Sequence, residues 1–312
     1  VLGRINPDRP IGGKLARLDV EAARRAIDAD IAQPLQLGIE DAAEAILKLA
    51  NAKMAGAIRL VSIEKGHDPA KFAAMPFGGG GALHAGALIQ EVGLGSALVP
   101  RFPGVTSALG CVVTDVRHDR VQTVNRLLDQ VDAEALGAEM RRVADETEAL
   151  LVGADVAFER IDHIHEFDML YLGQTHTVNV QVDLAGGLTR EAIGAAFDDA
   201  YLDTYGRLLD NIPRRIMNYR IAVVGRRPQL DMAVFAPVNG KPAAECRLGT
   251  RQVYAAGAFH EAGIYERIDL EIGAVVDGPA LLEQPDTTIF VDPGLSALVD
   301  RFGNLVITPV GG

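Results

Sequence analysis

The residues from Phe72 to Ile89, FAAMPFGGGGALHAGALI, carry no formal charge and constrain the chain more than any other stretch. An apolar run of this length raises the question of a membrane span. Pro76, five glycines and His84 would make a poor spanning helix, because proline and glycine interrupt one. The pattern reads instead as a buried strand over Phe72–Phe77, a turn at Gly78–Gly81 and a helix through ALHAGALIQEV. Glycine lacks the Cβ that would hold a ligand away, and it reaches positive φ. The N-terminus of the following helix adds free N–H groups and a partial positive charge suited to phosphate. The order strand, glycines, helix therefore suits either close approach by a ligand or a tight structural turn. It is not a Walker A loop, since no GK[ST] follows. It also lacks the register of GxGxxG and an acidic residue about twenty positions on.

Around this stretch the chain alternates between helical and strand periodicity. Residues 1–14, rich in Gly and Pro, read as an extended connection. Asp19–Ala29 has a short helical pattern. Ile39–Glu64 is the strongest helix, with Ile39, Ala43, Ile46, Ala50, Met54, Ala57, Ile58 and Val61 on one stripe. Gly66 ends it, with Pro69 just beyond. Ala97–Pro100 reads as a strand, followed by a loop and an apolar stretch at Cys111–Thr114.

The texture changes after about Asp119, and a boundary open to proteases is expected near Asp119–Asn125. Beyond it Asp132 caps a helix to about Leu151, with Leu136, Met140 and Val143 inward. A strand pair, Ile161–Leu172 and His176–Val182, follows, with Gly173 and Gln174 in the turn. Thr189 caps a helix carrying Ile193, Phe197 and Tyr201. Met217, Tyr219, Ile221 and Val223 alternate on one strand face. The last sixty residues show short strand-like runs split by Gly, Pro and Asp. The fold expected is an α/β domain over 1–120, then an α+β domain over 121–312 that ends in β structure.

With a formal net charge of −12 the chain is a poor candidate for nucleic acid or an anionic membrane. Cys111 and Cys246 form no CxxC and read as small buried hydrophobes of a reducing compartment. The first residues lack a basic-then-apolar signal, which points to the cytoplasm.

Several other groups bear chemistry. His163 and His165 lie two apart on a strand, so both face one side; with His118 or His176 they make a metallohydrolase the sharpest rival reading. Partly exposed strand histidines are the alternative, and no metal is expected. Ser107 sits in GVTSALG, which is not the G-x-S-x-G elbow. Tyr171, Gly173 and Gln174 read as a hairpin corner or a subunit contact, and Asp198, Asp199 and Asp203 as a solvated helix face.

The run AMPFGGGGALHAGALIQEVG followed by LVPRFPGVTSALG resembles the hydantoinase A / 5-oxoprolinase family. VLGRINPDRPIGG and ANAKMAGAIRLVSIEKGHDP upstream fit the same family. So do LYLGQ, AFDDAYLDTYG, DGPALLEQPDTTIFVDPG and GNLVITP downstream. The resemblance implies the second lobe of an actin/sugar-kinase-like ATPase domain followed by the family's C-terminal domain. It implies that Gly78, Gly79, Gly80 and Gly81 face adenosine or its phosphates, with Ala82 and His84 beside them. His84 is the candidate catalytic residue, and a core histidine bonded to its surroundings is the alternative.

The implied cofactor is ATP with Mg²⁺, used to phosphorylate the carbonyl of a hydantoin or 5-oxoproline ring. The implied partners are a hydantoinase B-like subunit or domain and a small cyclic amide, in an oligomeric assembly. No DxGGT phosphate loop is present. The resemblance therefore implies that most of the Mg²⁺-phosphate wall belongs to a first lobe lying before this sequence, and that residues 1–312 alone are inactive. Related members carboxylate ketones with the same ATP logic. A purely partner-docking role is the non-enzymatic alternative.

Overall fold

The structure is a computed structural model that describes residues 1–12, 17–153 and 156–311. Residues 13 and 14, at the end of the expected N-terminal connection, lie outside the described residues. The chain forms two compact units, one made of residues 1–112 with 231–312 and the other of residues 113–230.

The first unit opens with a segment that is more than a connection. Leu2 is buried, and its carbonyl accepts the N–H of Tyr254 (2.9 Å). Helix α1 (Val20–Ile27) starts at Asp19, whose Oδ1 accepts the N–H of Ala22 (2.8 Å). A π turn and a single turn, α2 (Gln33–Leu35), lead into α3 (Ile39–Val61). The long helix forms as expected, but its buried side is rotated from the expected stripe. Ala43, Asn51 and Ala55 are buried, whereas Ile46, Leu49, Leu60 and Val61 are exposed. Small residues on the inner side let α3 approach the helix α4 (Ala85–Val92) closely, where Ala55 packs with Leu88, Val92 and Leu94.

Strand β1 is only Ala73–Ala74, paired in parallel with β2 (Ser96–Val99). The expected buried strand Phe72–Phe77 is thus cut to two residues, and Phe72, Met75 and Phe77 are exposed. Pro76 has no N–H to give a ladder, which ends the strand early. The stretch Cys111–Thr114 largely falls in a helix, α5 (Thr106–Val113), none of whose side chains is buried.

The second unit is a sheet in the order β3-β6-β4-β5, covered by two helices. Its strands are β3 (Val116–Leu127), β4 (Arg160–Tyr171), β5 (Val178–Val182) and β6 (Arg214–Arg226). The helices are α6 (Ala133–Val152) and α7 (Arg190–Tyr205). Asp132 and Thr189 cap them as expected, accepting from the N–H groups of Ala135 and Ala192. Leu136, Met140 and Val143 pack with Ile193, Phe197 and Tyr201 over Phe167, Tyr219 and Ile221. One expected face is corrected. Asp168 pairs with Asn218 but Met169 with Ile216, so Met217 is bulged out and Ile216 is buried in its place. The segment Asp119–Asn125, expected as an open boundary, lies within β3, where Asp119 pairs with Ala222 and Thr123 with Asn218.

The chain then returns to the first unit as seven strands: β7 (Arg247–Ala255), β8 (Ala258–Glu266), β9 (Val275–Asp277), β10 (Ala280–Gln284), β11 (Thr287–Val291), β12 (Leu295–Val299) and β13 (Leu305–Pro309). Two sheets result, β11-β10-β8-β7 and β1-β2-β13-β12-β9. Ala97, Val99, Leu282, Ile289, Val291 and Ile307 form a core joining strands of both sheets. Because β13 pairs with β2, the unit contains segments from both ends of the sequence. No helix among the described residues is long and apolar enough to cross a membrane.

Candidate functional site

The glycine cluster lies between β1 and a 3-10 turn, Gly81–His84, that runs directly into α4. Each glycine stands in a different environment. Gly78 has φ +82°, which favours glycine outright, and its N–H donates to Pro103 O (2.6 Å). A Cβ on Gly79 would lie 3.1 Å from Ile11 Cγ2, and the carbonyl of Gly79 accepts the hydroxyl of buried Thr287 (2.9 Å). Gly81 meets only ordinary contacts with Pro76. Around Gly80 nothing lies within 4 Å of an added Cβ. Packing within this chain therefore does not require a glycine there. An exposed backbone with open space before it is what a closely approaching ligand needs.

Ala82, expected beside the ligand-facing glycines, turns its side chain into the core. It is fully buried and packs with Ile89 and Val291, so its methyl anchors the turn from within. His84 is half-buried, and its Nδ1 lies 2.7 Å from Oδ1 of Asn51, a buried residue of α3. An amide oxygen only accepts, so Nδ1 carries the proton and Nε2 keeps a lone pair. Burial, and then the charge of Arg4, hold the imidazole below its usual pKa, which favours the neutral ring.

His84 neighbours Arg4, from a distant segment, and Arg4 in turn reaches the carboxylates of Asp292 and Glu44. Arg4 stacks over the ring of Phe290, 4.5 Å from its centroid. Its charge acts on His84 and Asp292, and the carboxylates of Asp292 and Glu44 act on it in turn. Glu44 is buried and pairs with Lys48 at 2.9 Å. Asp292 packs against the backbone of Gly86, and burial pushes its carboxyl up to about 6 despite the nearby Arg4. Two residues they surround, Asn51 and Gly86, have a signal in the sequence. Asn51 interrupts the small apolar residues of a helix, and Gly86 sits in a helix where only close approach explains it. Arg4 and Asp292 had none.

Beside the upstream end of the loop is an apolar cavity of about 390 Å³, lined by Ile58, Phe72, Met75, Pro76, Leu88 and Leu94 among others. It is large enough for a flat ring system. The loop thus joins an apolar pocket, open backbone and a neutral imidazole in one neighbourhood.

The other candidates are occupied elsewhere. His163 Nε2 is 2.5 Å from Glu148 Oε2, and the rings of His163 and His165 meet edge to face at 6.1 Å. Among the described residues no three His, Cys, Asp or Glu side chains converge to hold a metal. Ser107 lies exposed on α5. Gln174 donates to Tyr201 Oη (2.7 Å) and accepts from Tyr171 N (3.3 Å), which ties the hairpin corner to α7. Asp198 is not simply solvated, since it takes two bonds from Arg214, at 3.1 and 2.6 Å. Cys246 is buried as expected, whereas Cys111 is exposed.

The sequence profile of the hydantoinase/oxoprolinase family matches residues 1–120, and that of the hydantoinase/oxoprolinase C-terminal domain matches residues 129–307. The chain belongs to the hydantoinase/oxoprolinase family. It is 29% identical to the caprolactamase subunit alpha of Pseudomonas jessenii over 99% of this chain and 45% of that protein. It is 28% identical to the acetone carboxylase beta subunit of Xanthobacter autotrophicus over 96% of this chain and 44% of that protein. The chain therefore spans less than half the length of these relatives. Its fold matches the crystal structure of the ATP-dependent caprolactamase of Pseudomonas jessenii with a TM-score of 0.74, at 28% identity, covering 99% of this chain and 45% of that one. Proteins similar to this chain thus include an ATP-dependent caprolactamase and an acetone carboxylase subunit.

Proposed function

We propose that this chain supplies the adenosine-side wall of a nucleotide cleft in an ATP-dependent cytoplasmic enzyme that opens cyclic amides. The observation that carries the reading is Gly80, a glycine no packing requires, exposed where a strand turns into a helix. Gly78–Gly81 would approach the nucleotide through backbone. The apolar cavity at Phe72, Met75 and Pro76 suits the adenine ring, and the N–H groups opening the turn suit phosphate oxygens. His84, kept neutral and fixed by Asn51, offers a lone pair at Nε2 for a hydrogen bond or a proton.

In this reading residues 1–120 correspond to the second lobe of an actin/sugar-kinase-like ATPase domain, and 121–312 to the family's C-terminal domain. Mg²⁺ and most phosphate contacts come from a companion lobe outside these residues. ATP would supply a phosphoryl group to the amide oxygen, making a poor electrophile a good one. A hydantoinase B-like partner completes ring opening within an oligomer, in keeping with relatives that are themselves named as subunits.

The acetone carboxylase relative favours a second reading, ATP-dependent carboxylation of a ketone. ATP turnover that depends on bicarbonate and ketone selects the second reading, and turnover with a lactam or hydantoin alone selects the first. The nucleotide wall itself is tested by photolabelling with an 8-azido-adenine nucleotide, which registers weak binding. Label on peptides within 72–92, lost in Gly80→Val with the fold retained, is the expected result. Label elsewhere, or undiminished in the variant, overturns the assignment.

A further inference from the structure

Arg267, just beyond β8, is entirely buried. Its Nη2 donates to Gly303 O (2.6 Å), but Nε and Nη1 are buried without a partner. Arg101, just beyond β2, repeats the pattern. Its Nη2 donates to Ile268 O (3.4 Å), while Nε and Nη1 are again buried and unpartnered. The two guanidinium groups converge on Gly303, where an added Cβ would lie 2.8 Å from Arg101 Nη1. Burial, and then the charge of Arg101, lower the pKa of Arg267 to about 10, still well above neutrality.

The nearby carboxylates do not resolve this. Asp286 accepts from Gly104 N (2.8 Å) and from Gln284 Nε2 (2.5 Å). Asp300 accepts from the N–H groups of Phe302 and Asn304 and from Asn304 Nδ2. One further acceptor, Gln284 Oε1, is buried and unpartnered, but a single amide oxygen cannot serve the N–H groups of four nitrogens. Two like charges held together, one of them wholly out of water and both with buried donors unused, are costly. An anion with several oxygens removes both costs at once, since guanidinium forks match such oxygens in pairs.

We propose that Arg101 and Arg267 form a binding site for a small oxyanion, of the phosphate or carboxylate type, beneath the hairpin between β10 and β11. That hairpin carries Asp286 and Thr287, which hold Gly104 and Gly79. Occupancy of the arginine pair would therefore brace the glycine loop from below. The inference does not depend on nucleotide binding.

The test is calorimetric titration of the 312-residue chain with phosphate, bicarbonate and acetate at matched ionic strength, alongside thermal melts. Saturable binding is expected, with a rise in Tm of roughly 3 °C at about tenfold excess over Kd. Arg101→Gln, at a partly exposed position, is expected to weaken binding at least tenfold and abolish the anion-specific part of the rise. The general stabilisation by excluded salts persists in the variant and serves as its own control. Tight binding of phosphate alone selects a tetrahedral anion, and of bicarbonate or acetate a planar monoanion. No saturable binding up to tens of millimolar overturns the site. Binding undiminished in Arg101→Gln overturns it equally.

Discussion

A methyl group on Gly86 would lie 2.0 Å from Oδ2 of Asp292 and 2.8 Å from Leu295 Cδ1. The buried carboxyl occupies the space a side chain would need, which explains a glycine inside a helix.

Gly86→Ala should therefore destabilise the fold by roughly 1–3 kcal/mol through overpacking. Asp292→Ala opens that space, so the double variant should lose less stability than the sum of the singles. Urea unfolding of the four proteins measures the coupling. Strict additivity would show that the two side-chain positions do not compete.

Asp292 also sets a pH dependence. Its folded pKa, about 6, lies above the ordinary 3.8, so the folded state prefers the protonated acid. The stabilising contribution is complete below about pH 4 and is lost as pH rises through 6. A shift of about two units corresponds to roughly 3 kcal/mol. The difference in unfolding free energy between wild type and Asp292→Asn, followed across this window, should shrink or change by that order. A flat difference curve would mean that the carboxyl is solvated.

His84 should titrate below 6.5 in the folded protein, because burial and Arg4 disfavour the imidazolium. Its contribution to stability is present above the unfolded pKa and is lost as pH falls through the depressed folded one. Asn51→Asp places a carboxylate against Nδ1 and should raise the His84 pKa, as read by NMR of the imidazole protons. An unchanged titration would place Asn51 and His84 apart in solution.

The two thiols should separate cleanly. Cys111 is exposed on α5, whereas Cys246 is buried and its thiol pushed up, chiefly by burial. Ellman's reagent should modify one thiol quickly in the native protein and the second only on unfolding. Equal rates would contradict the burial of Cys246.

Local signals in the sequence were clear where one residue does one job. Asp19, Asp132 and Thr189 cap helices because their side-chain oxygens meet the free N–H groups nearby. The glycine cluster was legible as a turn between a strand and a helix, where Gly78 takes a φ of +82°. Strand β3 was not, since VRHDRVQTVNRL has no apolar alternation and is held chiefly by its pairing with β6. The inner side of α3 was misassigned because small residues such as Ala43 and Ala55, not the larger Ile46 and Val61, are buried there. Arg4 and Asp292 reach the site from opposite ends of the sequence, and the arginine pair joins loops far apart in it. No periodicity encodes such encounters.

The pairing of β2 with β13 sets Val99 opposite Leu305 and Ala97 opposite Ile307. On the ribosome, then, the glycine-bearing half of the first unit emerges before residues 113–230 and waits for β13 before its sheet can close. Residues 113–230 have all their strand partners within themselves and can settle in the interval. A premature stop before Leu305 would leave β2 with only the two-residue β1 beside it, and Ala97 and Val99 uncovered. Nascent chains of that length would expose an apolar edge to chaperones and proteases, whatever the integrity of the glycine loop itself.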